Sequence, residues 1–237
     1  MNIAIMQPYF FPYIGYFQLI SSSDIFVIYD DVNFIKGGWI NRNRILLNGD
    51  VVFINVSMQG ASSFKKINEI DIDSDRKKLL SKIKLAYKKA PFYNDIFPVI
   101  EGLLLYETNN LADYLSHIIF NFSRFLSINT KIIRSSTINK DNNLKGQAKV
   151  IEICKKMNAL TYINSIGGTK LYNESDFLKE GLVLKFLKSN DFTYNQNSID
   201  FVANLSILDF LMFEGLDEVK IKLKDYSLNE NNSIYEK

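Results

Sequence analysis

Hydrophobic and polar positions follow two patterns along this chain: short apolar runs typical of buried strands, and wider stripes typical of helices. The apolar runs predict strands over residues 3–7, 25–30, 130–134, 160–163 and 182–187. Helical patterns separate these runs, and a helix between two strands returns the chain so that the strands pair in parallel. The sequence therefore predicts an α/β fold with a mostly parallel sheet that opens with a βαβ unit.

The first loop separates strand 3–7 from a helix whose apolar pattern restarts at Phe17. Pro8 and Pro12 forbid regular pairing between them, so this loop lies at the carboxyl end of a strand. Ligands of open parallel sheets bind at that edge, beside helix N-termini that favour anions. The opening therefore predicts a binding site.

Two β-rich runs, 39–47 and 51–57, are separated by Asn48-Gly49. Asn-Gly suits the positive φ angles of a type I′ turn, so this segment predicts a β-hairpin appended to the sheet. The following helical patterns, at about 74–89, 94–106 and 109–127, predict a helical insertion over 74–127.

The chain is long enough for one well-packed domain, predicted over residues 1–228. Residues 229–237 lack core side chains and are predicted to fray. An apolar fraction of 47% with 18 Phe and 13 Tyr excludes a disordered chain. A net charge of +2 without basic blocks argues against nucleic-acid binding.

The apolar N-terminus lacks the basic region and the small-residue cleavage site of a targeting segment. Its prolines and glutamines interrupt the apolar run, so we expect no membrane span and a cytoplasmic protein. With His117 and Cys154 as the single residues of their types, a zinc site, a Ser/His/Asp triad and a Cys/His dyad lack their parts. Cys154 lies in an apolar helical stretch, where a small packed hydrophobe is expected. No dinucleotide fingerprint or P-loop occurs, so the sequence predicts no metal and identifies no cofactor.

Polar side chains at predicted strand ends are the main candidates for chemistry. Asp30 and Asp31 end the second strand, where pleat alternation sends them to opposite faces. One can face the crevice as a ligand or a base, or both can simply form a turn. Gln7 ends the first strand and either contacts a ligand or ties down its own loop. The aromatic candidates for a sugar or base platform, or for packing of the loop, are Tyr9, Tyr13 and Tyr16.

Arg42 is the preferred anion ligand, because a guanidinium matches a diphosphate or carboxylate bidentately. The alternative is a solvated arginine on an edge strand. Ser135 and Ser136 follow a strand and either contact phosphate or cap a helix. Further candidates for substrate contacts are Lys36, Asn41, Tyr194 and Gln196, with Asp209 either in the pocket or a structural hydrogen-bond acceptor.

Several motifs spread over nearly the whole chain carry a resemblance. They are Gln7-Pro8-Tyr9, Pro12-Tyr13-Ile14-Gly15-Tyr16-Phe17, Phe26-Val27-Ile28-Tyr29-Asp30-Asp31-Val32, Lys36-Gly37-Gly38-Trp39-Ile40-Asn41-Arg42-Asn43, Ile67-Asn68-Glu69-Ile70, Ala86-Tyr87-Lys88-Lys89-Ala90-Pro91-Phe92, Arg134-Ser135-Ser136 and Leu205-Ser206-Ile207-Leu208-Asp209. On these motifs the chain resembles the WbqC-like proteins of bacterial surface-polysaccharide gene clusters. The resemblance implies a transferase that acts on amino sugars in O-antigen, lipopolysaccharide or capsule biosynthesis.

Aminolysis fits the polar residue set best, because an amino-sugar nucleotide supplies its own nucleophile. We therefore expect N-acyl or N-aminoacyl transfer, with Asp30 or Asp31 as the base. The partner is then a small molecule, a nucleotide-linked amino sugar.

Two alternatives stay open. One is an ATP-dependent amide ligase that passes through an acyl-adenylate, since the opening resembles nucleotidyltransferase-like α/β proteins. In those proteins His-x-Gly-His stands where this chain has Tyr13-Ile14-Gly15-Tyr16, which argues against adenylyl transfer. The other is a non-catalytic binding or scaffold protein of polysaccharide assembly.

Overall fold

The computed structural model describes residues 1–198 and 200–230. The secondary-structure elements, in chain order, are β1 (Asn2–Met6), α1 (Ile14–Ser21), β2 (Ile25–Ile28), β3 (Arg42–Leu47), β4 (Asp50–Asn55), β5 (Met58–Gln59), β6 (Asp71–Ile72), α2 (Lys77–Tyr87), α3 (Tyr93–Leu104), α4 (Leu111–Phe125), β7 (Lys131–Arg134), α5 (Gly146–Lys156), β8 (Thr161–Ser165), α6 (Glu174–Lys179), β9 (Val183–Ser189), α7 (Ile207–Lys222) and β10 (Tyr226–Glu230).

The central sheet has six strands in the order β10-β9-β8-β1-β2-β7. β1 pairs in parallel with β2 and with β8, β2 with β7, and β8 with β9, whereas β10 is antiparallel to β9. The five predicted strands are therefore confirmed as one parallel set. The chain builds outward from β1 first on one side and then on the other, so the strand order reverses at β1.

The hydrophobic pattern did not predict the short antiparallel pair β5 and β6, nor β10 at the edge of the central sheet. The sequence of β10, Tyr-Ser-Leu-Asn-Glu, carries few apolar residues because it is an edge strand, paired on one side with β9. Asn229 and Glu230, assigned from sequence to a frayed tail, pair with Phe186 and Lys185. The rest of that predicted tail, 231–237, lies outside the described residues.

The predicted hairpin is confirmed as β3 and β4, which form a separate two-stranded sheet. Asn48 and Gly49 have φ angles of 54° and 87°, as a type I′ turn requires. The predicted helical insertion is confirmed as α2, α3 and α4. Pro91 follows α2 and Pro98 lies within α3.

Two clusters of buried side chains cover the two faces of the sheet. On one face, Ala4 and Phe26 pack with residues of α1, α4 and α7. On the other, Ile5 and Val27 pack with α5 and α6, and Cys154 is part of this cluster. Burial raises the pKa of the Cys154 thiol to about 12, in line with the expected small hydrophobe. Across the described part of the chain, no helix combines the length and apolarity needed to cross a bilayer.

Candidate functional site

The carboxyl edge of the parallel strands gathers most of the predicted polar residues. Gln7 follows β1, Asp30 and Asp31 follow β2, and Ser135 follows β7. The register aligns these ends, since Met6 pairs with Ile28 and Ile28 with Arg134. Because the strand order reverses at β1, a ligand crevice is expected outside this edge.

Asp30 is fully buried and receives three hydrogen bonds. Its Oδ2 accepts from Nε of Arg134 at 2.7 Å and from Oγ of Ser136 at 2.6 Å. Its Oδ1 accepts from the backbone N–H of Ser136 at 2.9 Å. Arg134 also contacts Asp113 on α4, so one guanidinium joins two carboxylates.

The pKa of Arg134 lies above its ordinary value. Burial acts to lower this pKa, and the hydrogen bonds and charges of Asp30 and Asp113 outweigh burial. The Arg134 side chain keeps 29% of its surface exposed. An anion can therefore reach this charge from solvent, whereas Asp30 behind it cannot be reached.

Asp31 is buried against two lysines on the other face of the sheet. Its Oδ2 lies 2.8 Å from Nζ of Lys140 and 3.0 Å from Nζ of Lys149, and both ammonium groups are buried. Burial acts to raise the pKa of Asp31, but hydrogen bonds from Lys140, Ser135 and Lys149 hold it below its ordinary value. Lys149 also lies 5.4 Å from the ring centroid of Tyr29.

The two carboxylates lie on opposite sides of the sheet, as expected from the sequence, but they follow β2, which ends at Ile28, so the loop and not the strand pleat directs them. Both are held by cations. Asp31 is a weak base, because its charged hydrogen bonds stabilise the ionised form, and Asp30 is buried away from solvent. The cluster on the Asp31 side has two positive charges and one negative charge. The carboxylates of this edge are therefore better suited to positioning the arginine and lysine side chains, whose positive charge attracts an anionic substrate, than to removing a proton from the substrate.

Gln7 and the tyrosines of the first loop differ in how much side-chain surface they offer to a ligand. Gln7 is half-buried, and among residues 1–198 and 200–230 its side-chain amide has no hydrogen-bond partner. Tyr16 is buried, and its hydroxyl donates to the Gln7 carbonyl at 3.1 Å. Tyr9 and Tyr13 are half-buried, and the Tyr9 hydroxyl accepts from the Tyr13 backbone N–H at 3.3 Å. Tyr16 thus forms the floor of the loop, while Gln7, Tyr9 and Tyr13 keep surface for a ligand.

Arg42 lies with its own loop and does not join the sheet edge. Its Nε donates to the Gly38 carbonyl at 2.9 Å, and a second nitrogen contacts the Gly37 carbonyl. The guanidinium also covers the Phe53 ring, 4.8 Å from its centroid. Arg42 therefore stabilises its own loop, because the N–H groups that could bind a phosphate donate to backbone carbonyl oxygens instead.

The remaining predicted residues fall into structural contacts or open surface. Asn41 donates to the Val56 carbonyl at 3.1 Å, whereas Lys36 is exposed. Ser135 is fully buried beside Asp31. Gln196 is buried and exchanges two hydrogen bonds with the backbone of Val202.

Tyr194 belongs to a separate buried cluster around Asp209 on α7. Asp209 accepts hydrogen bonds from the hydroxyls of Tyr194 at 2.9 Å and Tyr87 at 3.1 Å. Burial raises the pKa of Asp209 to about 6, although both hydroxyls act to lower it. This is the structural hydrogen-bond role that the sequence left open for Asp209.

Sequence reasoning missed the lysines that hold Asp31. Lys149 carried a usable signal, because it lies on the apolar stripe of α5 next to Val150 and four residues before Ile153. A lysine on a buried stripe requires a carboxylate partner. Lys140 follows a short polar loop and carried no comparable signal.

Two pockets of about 550 Å³ lie away from this edge. One is formed by β4 and the start of α2, and the other by Ser23, Thr130 and Tyr226 at the amino end of the strands. We place the candidate site at the carboxyl edge, because the strand order reverses there and charged side chains are gathered there. Neither pocket has both features, although pocket volume alone would favour them. Within the described ranges, no three His, Cys, Asp or Glu side chains are grouped to hold a metal ion.

Comparison with known proteins gives one family and one similar relative. The profile described as the WbqC-like protein family matches residues 7–221. The protein Rv1507c of Mycobacterium tuberculosis (strain ATCC 25618 / H37Rv), described as uncharacterised, is 26% identical over 221 residues, which cover 91% of this chain and 95% of that protein. No solved structure matches the chain.

Proposed function

Since the chain belongs to the WbqC-like protein family, we propose that it is a transferase acting on an amino-sugar nucleotide in the cytoplasm. The product would serve surface-polysaccharide biosynthesis, O-antigen or capsule. The amino sugar is what the sequence resemblance implies. The doubly wound sheet supports a nucleotide substrate, because such sheets bind nucleotides outside the carboxyl ends at the point where strand order reverses.

One observation carries the proposal: the adjacent ends of β2 and β7 bring together the Asp30–Arg134–Ser136 cluster and the Asp31–Lys140–Lys149 cluster. A diphosphate or an acyl donor carries negative charge that a preorganised array of cations can hold. Arg134 is the side chain in this array with solvent-accessible charge. We assign it the main contact to the substrate anion.

The proposed reaction is N-acyl or N-aminoacyl transfer. The amine of the sugar attacks the acyl carbon of the donor, the carbon–nitrogen bond forms, and the bond from the acyl carbon to the donor leaving group breaks. The amine loses one proton, which leaves with the departing group or to solvent. Asp30 orients Arg134 and Ser136, and Asp31 orients its lysines; the free amide of Gln7 is the contact for the amine.

An ATP-dependent ligase is the second candidate, and the N-terminus of α1 favours it. This helix begins at the first loop without a side-chain cap and without an acidic residue in its first turn. Such an N-terminus can hold a phosphate. A Cβ at Gly15 would lie 2.4 Å from the Tyr13 ring, so a side chain at this position would displace that ring from the helix N-terminus. The third candidate function is a non-catalytic scaffold.

The test is incubation of purified protein with amino-sugar nucleotides and acyl donors, with and without ATP, followed by mass spectrometry of the products. The transferase proposal expects an N-acylated sugar nucleotide without ATP. Release of AMP and pyrophosphate would instead identify the ligase. Binding of a sugar nucleotide without turnover would support the scaffold.

Two arginine variants connect the activity to the site. Arg134→Met is expected to reduce turnover or substrate binding at least tenfold, as loss of a charged contact does. Arg124→Met removes an exposed arginine that lies over Phe120 on α4 and should leave activity unchanged. Equal, full activity in both variants would remove the proposed site.

A further inference from the structure

Arg76 is a buried guanidinium that forms no ion pair within residues 1–198 and 200–230. Only 5% of its surface is exposed, and its Nε and Nη1 atoms are buried with no hydrogen-bond partner among the described residues. The group lies over the ring of Tyr114, 4.6 Å from the centroid. The ring face and the hydroxyl of Tyr114 interact with the cation, and Arg76 acts to lower the Tyr114 pKa, but burial raises that pKa to about 12, so the phenol stays neutral and supplies no counter-charge.

Arg76 lines the pocket of about 550 Å³ between β4 and α2. This volume is within the range of small-molecule sites. None of the residues that line it belongs to the carboxyl-edge clusters. The polar part of the lining includes Asn55, Ser57, Gln59 and Ser74.

The pocket also contains the N-terminus of α2. This eleven-residue helix begins after Arg76 with no acidic residue in its first turn, and its first N–H, that of Lys77, donates to the Asp75 carboxylate at 2.9 Å. The first N–H groups of a helix carry partial positive charge and lack partners within the helix. Those that follow Lys77 add to the positive potential around Arg76.

The other charges of the lining cancel, so the charge of Arg76 leaves the pocket with a net charge of +1. Lys78 and Lys82 contribute two positive charges, and Nζ of Lys82 donates to the Phe53 carbonyl at 2.7 Å. Two carboxylates oppose them, and each already accepts a hydrogen bond: Asp73 from Gln59 at 2.6 Å and Asp75 from the Lys77 N–H at 2.9 Å. Neither carboxylate contacts Arg76.

An arginine cannot lose its proton at any ordinary pH, so it cannot become neutral when it is buried. Neither lining carboxylate contacts this charge, and an anion that enters the pocket can supply the missing hydrogen-bond acceptors. We propose that the pocket between β4 and α2 binds an oxyanion, a phosphate or carboxylate group of a small molecule, with Arg76 as its main contact. This inference is independent of the proposed transferase activity.

The test is titration of the full-length protein with pyrophosphate and, separately, with citrate, by isothermal calorimetry at constant ionic strength. We expect saturable binding of at least one of the two probes. Pyrophosphate binding alone assigns a phosphate ligand, and citrate binding alone assigns a carboxylate. Absence of saturable binding of both would overturn the proposal.

Variants then locate the bound anion. Arg76→Met should weaken its binding roughly tenfold or more, because a charged hydrogen-bond donor is lost. Arg124→Met, the exposed control, should bind as the wild type does. Equal binding by Arg76→Met and wild type would overturn the assignment to this pocket.

A second measurement does not depend on how Arg76→Met folds. In wild-type protein labelled with ¹⁵N-arginine, the Nε–Hε resonance of Arg76 should shift with the same saturation curve as the calorimetry. The resonance of Arg124 should not move. A curve in which Arg76 stays fixed while the anion binds would place the anion elsewhere and overturn the proposal.

Discussion

The carboxyl edge of the sheet and the pocket at α2 differ in whether their buried charges have a partner of opposite charge. At the edge, Asp30 and Asp31 each have a cationic group within 3.0 Å. In the pocket, Arg76 has no such partner among the described residues. A buried charge requires a counter-charge or neutralisation, so the buried charges of the edge are satisfied within the chain, whereas the charge of Arg76 requires a ligand.

Asp209 provides a third solution. It is buried with the hydroxyls of Tyr87 and Tyr194, and no cation of the described part of the chain contacts it. A carboxylate, unlike a guanidinium, can become neutral by binding a proton, and burial raises the pKa of Asp209 to about 6. A buried charged group can thus be satisfied in three ways: by an ion pair within the chain, as for Asp31, by protonation, as for Asp209, or by an external anion, as proposed for Arg76.

The largest effect is expected from Asp31→Asn, which breaks the internal pairing. This variant leaves Lys140 and Lys149 buried without the carboxylate that both contact. Removing one partner of a buried ion pair costs about 3 to 5 kcal/mol. Urea unfolding at pH 7 measures the loss. The double variant Asp31→Asn/Lys149→Met should recover part of it, and a loss under about 1 kcal/mol for Asp31→Asn would show that this pairing is not needed.

The contribution of Asp209 to the free energy of unfolding should change with pH in the opposite direction to that of Asp31. Its folded pKa, about 6, exceeds the ordinary 3.8, so the folded state binds more protons between these values. Its contribution to stability therefore falls as pH rises from about 4 to 6, by roughly 3 kcal/mol for a difference of 6 − 3.8. Asp31, with a lowered pKa, loses its contribution as pH falls below the ordinary value.

The check is the free energy of unfolding of wild type and Asp209→Asn at several pH values from 4 to 7. The variant cannot ionise at this position, so the wild type should become less stable relative to it as pH rises. Comparison of the two proteins cancels the other carboxylates. A difference that stays constant over the range would show that Asp209 titrates normally.

Asp30→Asn should cost less than the same change at Asp31, about 1.5 to 3 kcal/mol for a loss of charged hydrogen bonds. The reason is that Arg134 keeps Asp113 and is partly exposed, so it is not left as a buried unpaired charge. The same urea unfolding measures both variants. A larger loss for Asp30→Asn than for Asp31→Asn would reverse our ranking of the two clusters.

Lys155→Met should have the smallest effect, about 0 to 1 kcal/mol. Lys155 pairs with Glu180 at 2.5 Å, but 56% and 43% of the two side chains are exposed. Water already solvates both charges, so breaking the pair leaves no buried charge. A loss comparable with that of Asp31→Asn would show that burial does not decide the value of these pairs.

The sequence by itself determined the parallel strands, the hairpin and the three inserted helices. Those features depend on local periodicity and on turn chemistry, as at Asn48-Gly49, whose φ angles are both positive. It did not predict β10, because the hydrogen bonds of an edge strand come from its neighbour and need no apolar pattern. It also placed the polar residues of β2 and β7 at one sheet edge, since strand direction fixes where their ends lie.

Only the tertiary structure decided which charges meet. The partners of Asp31 are 109 and 118 residues away along the chain, and those of Asp30 are 104 and 106 residues away. No local pattern encodes such pairs; they form because strands and helices distant in sequence pack together. The same packing assigned Arg42 to its own loop, Tyr16 to the loop floor and Arg76 to a buried position where no carboxylate of the described residues contacts it. Local sequence fixes which groups carry charge, and burial decides which of them need a partner.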